Sequence, residues 1–240
     1  MSSEIKANKI SPATGTAFTF GDSGDTFTIP SGVTLTNNGS SSGFDSGLAS
    51  IQTFTSSGTW TKPSGITKVI MEVQGAGGAG IKGDGNDHNN SGGAGGYAKK
   101  LLDVSSISSA TITIGSGGAG STSTNVAGGN GGDSIWSDGT NTITGSGGDA
   151  AGATGYITGL GGAATGGDLN FTGQAGKWYG TTQGGDSFLG HGGTGQYDAS
   201  RASEIDGKLG GGGSSIWHTY PAATHAGNGG DGIVIVWEYK

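Results

Sequence analysis

Residues 54–80 read FTSSGTWTKPSGITKVIMEVQGAGGAG, and residues 227–240 read GNGGDGIVIVWEYK. Each stretch joins a run of β-branched residues directly to glycine. Lys68-Val69-Ile70-Met71-Glu72-Val73 and Ile233-Val234-Ile235-Val236-Trp237-Glu238 are short and fit a pleated surface, so each predicts a strand. Between them lies a long glycine field with few large apolar groups. This pattern predicts an all-β fold: a small β-sandwich core, a glycine-rich polyglycine-II helix bundle held by that core, and long surface loops. A short β-rich N-terminal segment for oligomerisation and attachment precedes it.

Glycine accounts for 56 of 240 residues, against a usual share of about 7%. Charged residues are 12%, about half the ordinary fraction. A disordered chain carries more charge and fewer Trp and Ile, whereas this one keeps five Trp and clusters its apolar residues, which predicts a folded protein. The net charge of -7 weighs against nucleic acid and anionic membrane surfaces as partners. With no cysteine there is neither a disulfide framework nor a thiolate metal site. The opening MSSEIKANKI lacks the apolar core of a secretory signal, and no run approaches the roughly 18 apolar residues of a membrane span. The expectation is a protein made in a cytoplasm whose surface chemistry suits an extracellular setting, as for a virion protein released by lysis.

Residues 1–50 read as a separate segment. Ala17–Phe20, Thr26–Ile29 and Val33–Thr36 alternate apolar residues with threonine, and Gly21–Asp25 and Pro30-Ser31-Gly32 are turn signals between them. Strands of four residues bury little area alone, so they call for a partner: a trimer of copies, another fibre protein, or a β-meander on the main domain. Residues 37–50 have linker composition. Residues 51–240 form the second unit, with further strands at Ile51–Phe54, around Thr59–Thr61 and at Ala110–Ile114. Ser134-Ile135-Trp136, Ser187-Phe188-Leu189 and Ser215-Ile216-Trp217 are apolar beads in the glycine field.

The glycines cluster as GG-x and GG-x-GG, for example Gly92-Gly93-Ala94-Gly95-Gly96 and Gly128-Gly129-Asn130-Gly131-Gly132. There is no G-X-Y register, which excludes collagen. Three-residue spacing points to left-handed extended helices with no internal hydrogen bonds, whose amides must find partners on neighbouring segments. Connections between such segments are where function sits. Four are long: 81–91, 168–182, 195–209 and 214–225. Their aromatics have amide, acid and histidine neighbours, a chemistry suited to recognising a carbohydrate or protein surface. The candidate contacts are Trp178, Tyr179, Tyr197, Trp217, His218 and Tyr220. Trp217, beside Ile216, also reads as a plug over the end of the bundle.

Gly75-Ala76-Gly77-Gly78-Ala79-Gly80 matches G-x-G-x-x-G after a strand, but Lys82-Gly83-Asp84-Gly85 cannot begin the helix a dinucleotide site needs. Asp84, Asn86, Asp87 and Asn89 offer oxygens without the closing glutamate of a calcium loop. The four histidines, at 88, 191, 218 and 225, have no zinc-site spacing. No catalytic residue, metal or cofactor is expected.

Gly58-Thr59-Trp60-Thr61-Lys62-Pro63, the strand 69–73 running into QGAGGAG, and the closing Gly229-Gly230-Asp231-Gly232-Ile233-Val234-Ile235-Val236 resemble the glycine-rich C-terminal domain of bacteriophage tail-fibre and receptor-binding proteins. The stretches 8–16 and 21–27 look like the N-terminal part of virion proteins of marine phages. The resemblance implies a tail-fibre or tail-tip adhesin that binds a host surface receptor, a glycan or outer-membrane protein, non-covalently through its loops. Other virion tail proteins would be its further partners, and a homotrimer its assembly. Two alternatives stand beside it: a purely structural virion component, such as a fibre shaft or head decoration, and a glycan-cleaving enzyme, which would require a carboxylate pair in a groove. An ice-binding face is a more distant option, spoiled by the long aromatic loops.

Overall fold

The computed structural model describes residues 24, 26, 28–34, 36, 47–83, 90–153, 155, 157–178, 182–195, 205–216 and 225–240. The chain divides into two units, Met1–Asp45 and Ser46–Lys240. In the first, the Val33 amide donates to the Pro30 carbonyl at 3.2 Å, and Gly32 adopts φ +84°. The Pro30-Ser31-Gly32 signal is thus a turn with glycine in its left-handed position. Ala17–Phe20 lies outside the described residues. The described residues of Thr26–Ile29 and Val33–Thr36 belong to no strand.

The second unit is all-β, with no helix among the described residues. Its strands are β1 (Leu48–Phe54), β2 (Gly58–Thr61), β3 (Lys68–Gln74), β4 (Tyr97–Asp103), β5 (Ser109–Thr113), β6 (Ser134–Ser137), β7 (Thr142–Gly145), β8 (Ala164–Thr165), β9 (Leu169–Phe171) and β10 (Ile233–Tyr239). They make two antiparallel sheets, ordered β1-β10-β3-β4-β9 and β2-β5-β6-β7-β8. β1 starts inside the stretch that reads as linker, because Leu48 and Ser50 pair with Tyr239 and Glu238.

The two sheets share one core. Val69, Met71 and Val73 of β3 and Val234 and Val236 of β10 meet Trp60, Ile112, Trp136 and Ile143 from the second sheet. Period-2 alternation puts these residues on one face of each strand, and each large side chain buried there contributes about 1.5–3 kcal/mol. Trp60 and Trp136 pack at 6.1 Å between ring centroids, tilted by 50°. Ser134-Ile135-Trp136, a bead in the sequence, is therefore part of a strand. Glu238 is fully buried on the same inward face. It accepts from Trp60 Nε1 and Gln52 Nε2, both at 2.7 Å, and from Ser50 Oγ. Three donors make burial of a carboxylate affordable, and the Trp60 bond ties the second sheet to the first.

β3, β4 and β10 continue into the glycine segments, whose amides rotate through neighbours with a period of three. In 75–81, Gly75, Gly78 and Ile81 donate to the carbonyls of Gly96, Gly93 and Asn90. Ala76 and Ala79 donate to Gly132 and Gly129, and Gly77 and Gly80 to Gly230 and Gly227. Each step of three forward is three backward on the partner, so these neighbours run antiparallel. The carbonyls of Ala76 and Ala79 accept from Gly148 and Ala151, and that of Gly78 from Gly213. Segment 91–96 repeats the scheme: Ser91 and Ala94 donate to Lys177 and Gln174, Gly92 and Gly95 to Gly213 and Gly210, and Gly93 and Gly96 to Asp149 and Ser146. Such proximity excludes side chains. A Cβ on Gly78 would lie 2.0 Å from the Asp149 carbonyl oxygen.

At the rim of this array, side-chain oxygens replace carbonyls. Asn130 and Asp133 accept from the amides of Ala150 and Gly147, at 2.8 and 2.9 Å. Asn228 and Asp231 accept from Gly120 and Gly117, both at 2.7 Å. The repeated Asn-Gly-Gly-Asp, three residues apart like the array itself, puts both acceptors on one side of the segment.

Candidate functional site

The chain enters and leaves the array at the sheets, where the Lys240 amide reaches the Gly47 carbonyl at 3.2 Å. The opposite end gathers the flanks of 84–89, 179–181, 196–204 and 217–224. Ile81 donates to Asn90 at 3.1 Å across the mouth of 84–89. Asn90 Nδ2 then reaches the Gly155 carbonyl at 2.7 Å. Ser91 donates to Lys177, and Lys177 donates to Gln183 through its amide (2.9 Å) and its Nζ (to Oε1, 2.8 Å), closing the mouth of 179–181. Gly195 donates to Thr182 at the start of 196–204. Gly83 donates to Ile216, and Ile216 to Ile81, at the start of 217–224. Ile205, Ile216 and Ala226, which flank the last two connections, form a small buried cluster of their own.

Of the six nominated contacts, Trp178 is described and is 49% exposed. Tyr179, Tyr197, Trp217, His218 and Tyr220 lie outside the described residues, as does Asp84–Asn89. The array brings together the flanks of every connection that carries these residues. The plug reading of Trp217 therefore also falls outside the described residues; its neighbour Ile216 is buried with Ile205 and Ala226.

A second surface feature gathers one of the apolar beads, at Phe188, with two aromatics that nothing in the sequence groups with it. At the sheet end, Tyr97, Phe171 and Phe188 stack, with centroids 4.1 Å apart for Tyr97–Phe188 and 5.4 Å for Phe171–Phe188, the latter rings 6° from parallel. Their positions come from three separate stretches, so no motif could announce them. A cleft of about 230 Å³ beside the stack includes Thr172, Gln174 and Asp186. The Tyr97 hydroxyl donates to Glu72 Oε2 at 3.0 Å. Burial, reinforced by the Glu72 carboxylate, pushes this phenol above its ordinary range. Glu72 also accepts from Trp237 Nε1 at 3.1 Å and pairs with Lys99 at 3.4 Å.

The two buried glutamates are thus both engaged, and register puts them on opposite faces of the first sheet: Glu238 with the core, Glu72 outward. The G-x-G-x-x-G match at 75–80 is buried, and each of its six amides donates to another segment. None is left for a phosphate. Among the described residues, no three His or acidic side chains converge on a possible metal position.

Residues 49–239 match the family described as a glycine-rich domain. A comparison with curated proteins returns no match.

Proposed function

We propose that this chain, which belongs to the glycine-rich domain family, is a virion tail-fibre or tail-tip protein that binds the host cell surface. Residues 1–50 attach the protein and assemble it as a homotrimer. The glycine segments are polyglycine-II helices, a reading supported by amides that turn to a new neighbour at each residue and return after three. The aromatic-rich connections at their far end meet a glycan or outer-membrane protein, with Trp178, Tyr179, Tyr197, Trp217, His218 and Tyr220 as the contacts.

The observation that carries this function is polarity. One end of the second unit holds the paired first and last strands. The other gathers the mouths of the connections. A display protein needs that separation between attachment and recognition.

The test is saturable binding of the purified chain to a panel of intact marine bacterial strains. Strain-selective binding that weakens at least tenfold in Trp178→Ala or Tyr197→Ala supports the function. Binding to no strain, or two variants indistinguishable from wild type on a strain that binds, refutes it. A second reading, a structural virion subunit, draws on Ile51, Trp237, Ile70 and Leu101. These lie in register across four strands on the outer face of the first sheet, with Ile51 and Leu101 exposed. Such an apolar row suits contact with a neighbouring subunit.

A further inference from the structure

The rim of the glycine array carries two different kinds of exposed side chain. Along 115–121 and 146–151, Asp231, Asn228, Asp133 and Asn130 cap outlying amides, and the exposed residues there are small or polar, as Ser116 and Ala119 are. The side made by 157–163 and 172–177 is different. Gly176 donates to Gly159 and Gly173 to Gly162, a register that sets Ala175 opposite Leu160 and Thr172 opposite Ala163. All four of these residues are exposed, Leu160 by 63%, and Ile157 beside them is 60% exposed. The amides of Leu160, Ala163, Thr172 and Ala175 have no partner among the described residues. Among the described residues, no Asn or Asp side chain caps them.

We infer that this side is a self-association face, on which a second copy of the chain packs about a two-fold axis. Two features together select that occupant: a row of open amides, which the 115–121 side shares at Ser116 and Ala119, and apolar side chains over it, which that side lacks. The first is the backbone. Outward amides three residues apart repeat at roughly 9 Å if the segments are polyglycine-II helices, and the segment that matches such a row in spacing is another of the same kind. With the Thr158 and Gly161 carbonyls, which accept no bond among the described residues, the open row offers donors and acceptors together, the counterpart of an unprotected edge strand that templates its own pairing. The second is area. Ile157, Leu160, Ala163, Thr172 and Ala175, with the adjoining exposed Phe171 and Phe188, offer on the order of 500 Å² of largely apolar surface. That matches the apolar share of one partner's half of a standard interface, roughly 450 Å². A patch that packs on its own copy is isologous and closes as a pair.

The experiment is the solution mass of the full chain and of the Ile157→Lys/Leu160→Glu double variant at the same concentration, by light scattering on a sizing column. Both side chains are exposed, and an unchanged melting temperature verifies the fold. Ala175→Arg is the second variant, and Val126→Glu, at an exposed site on another segment, is the control. The expected result is a wild-type mass twice that of both interface variants, whatever assembly residues 1–50 make, with the control at the wild-type mass. A wild type at the 23.3 kDa of one chain overturns the inference and leaves the face to a different partner. Equal masses for wild type and variants overturn it too. Cell binding is a separate readout, so the receptor function and this pairing fail independently.

Discussion

Gly78→Ala is the sharpest probe of the glycine array. The added Cβ would sit 2.0 Å from the Asp149 carbonyl oxygen, 2.3 Å from its carbon and 2.7 Å from the Ala150 nitrogen, where ordinary contact begins at 3.4 Å. All three are backbone atoms, so no side chain can swing away. Segment 146–151 must recede by more than 1 Å. Gly93 N to Asp149 O (3.0 Å), Gly148 N to Ala76 O (2.9 Å) and Ala151 N to Ala79 O (2.9 Å) then pass out of hydrogen-bonding range. At about 1 kcal/mol each, that is a loss of about 3 kcal/mol. Alanine restricts the unfolded chain and returns 0.4–1 kcal/mol, roughly. The net is about 2–3 kcal/mol, which for a domain of this size lowers the melting temperature by about 5–10 °C.

The assay is thermal unfolding followed by tryptophan fluorescence, which reads the buried Trp60 and Trp136. Gly58→Ala is the control, since a Cβ there meets nothing within 4 Å and its φ is not positive; it should change stability by less than about 0.5 kcal/mol. If Gly78→Ala melts with the wild type, or both variants lose stability equally, close backbone packing does not hold the array together.

Three further outcomes follow from the same contacts. Asp231→Ala removes the acceptor of the Gly117 amide at an exposed site and should cost about 0.5–1.5 kcal/mol, while Asp231→Asn keeps an acceptor and should restore most of it; denaturant midpoints for the pair test this. Glu238→Ala strips the partner from Trp60, Gln52 and Ser50 and should cost about 3–5 kcal/mol; an unchanged midpoint would mean the buried carboxylate does not join the sheets. Acid should destabilise the fold through three aspartates. The Ser105 amide and hydroxyl hold Asp103 below its ordinary range, and the Leu101 amide does so for Asp168. Burial pushes Asp138 up, but the Asn141 side chain and nearby amides outweigh it and hold it low. Groups with depressed folded values stabilise above the unfolded value, about 3.9, and lose that contribution as pH falls below it. Urea midpoints between pH 6 and 2.5, roughly, should therefore drop at the acid end, and by less in the triple Asp→Asn variant.

How much of this is legible in the sequence depends on which physical rule places each residue. Val69, Met71 and Val73 alternate cleanly, and so do Ala110 and Ile112, because one face of each strand is dry. β4 is harder to read, since Lys99-Lys100-Leu101-Leu102 breaks the alternation. Lys99 reaches Glu72 across the outer face, and Lys100 reaches Asp168 beyond the short β9. β7, β8 and β9 are two to four residues long and acquire strand character only from their partners. In the glycine field, the three-residue repeat does forecast hydrogen bonds between segments, yet not which segment meets which. That pairing is set by the sheets, which aim 75–81, 91–96 and 227–232 at one another. The Tyr97–Phe171–Phe188 stack is invisible for the same reason. Of the nominated contacts, Trp178 stands out in sequence because lysine and glycine neighbours leave nothing to bury it, and it is half exposed. The other five fall outside the described residues.

An array bonded in this way has a consequence for how its connections vary. Each segment is held by backbone groups of several neighbours, and backbone bonds do not depend on what sequence a connection carries. Beside 196–204, the bonds Gly195 to Thr182, Gly193 to Gly212 and Ser214 to Ile205 remain, as does the Ile205–Ile216–Ala226 cluster, whatever joins Gly195 to Ile205. Replacing 196–204 by a Gly/Ser segment of equal length should therefore shift the melting temperature by less than about 2 °C, a stability change below about 1 kcal/mol. The same replacement removes Tyr197 and Arg201, and it should abolish adsorption if the far end is the recognition surface. A stable variant that still adsorbs would acquit this connection. A variant that unfolds would mean the connection itself holds the array, so display and framework would not be separable.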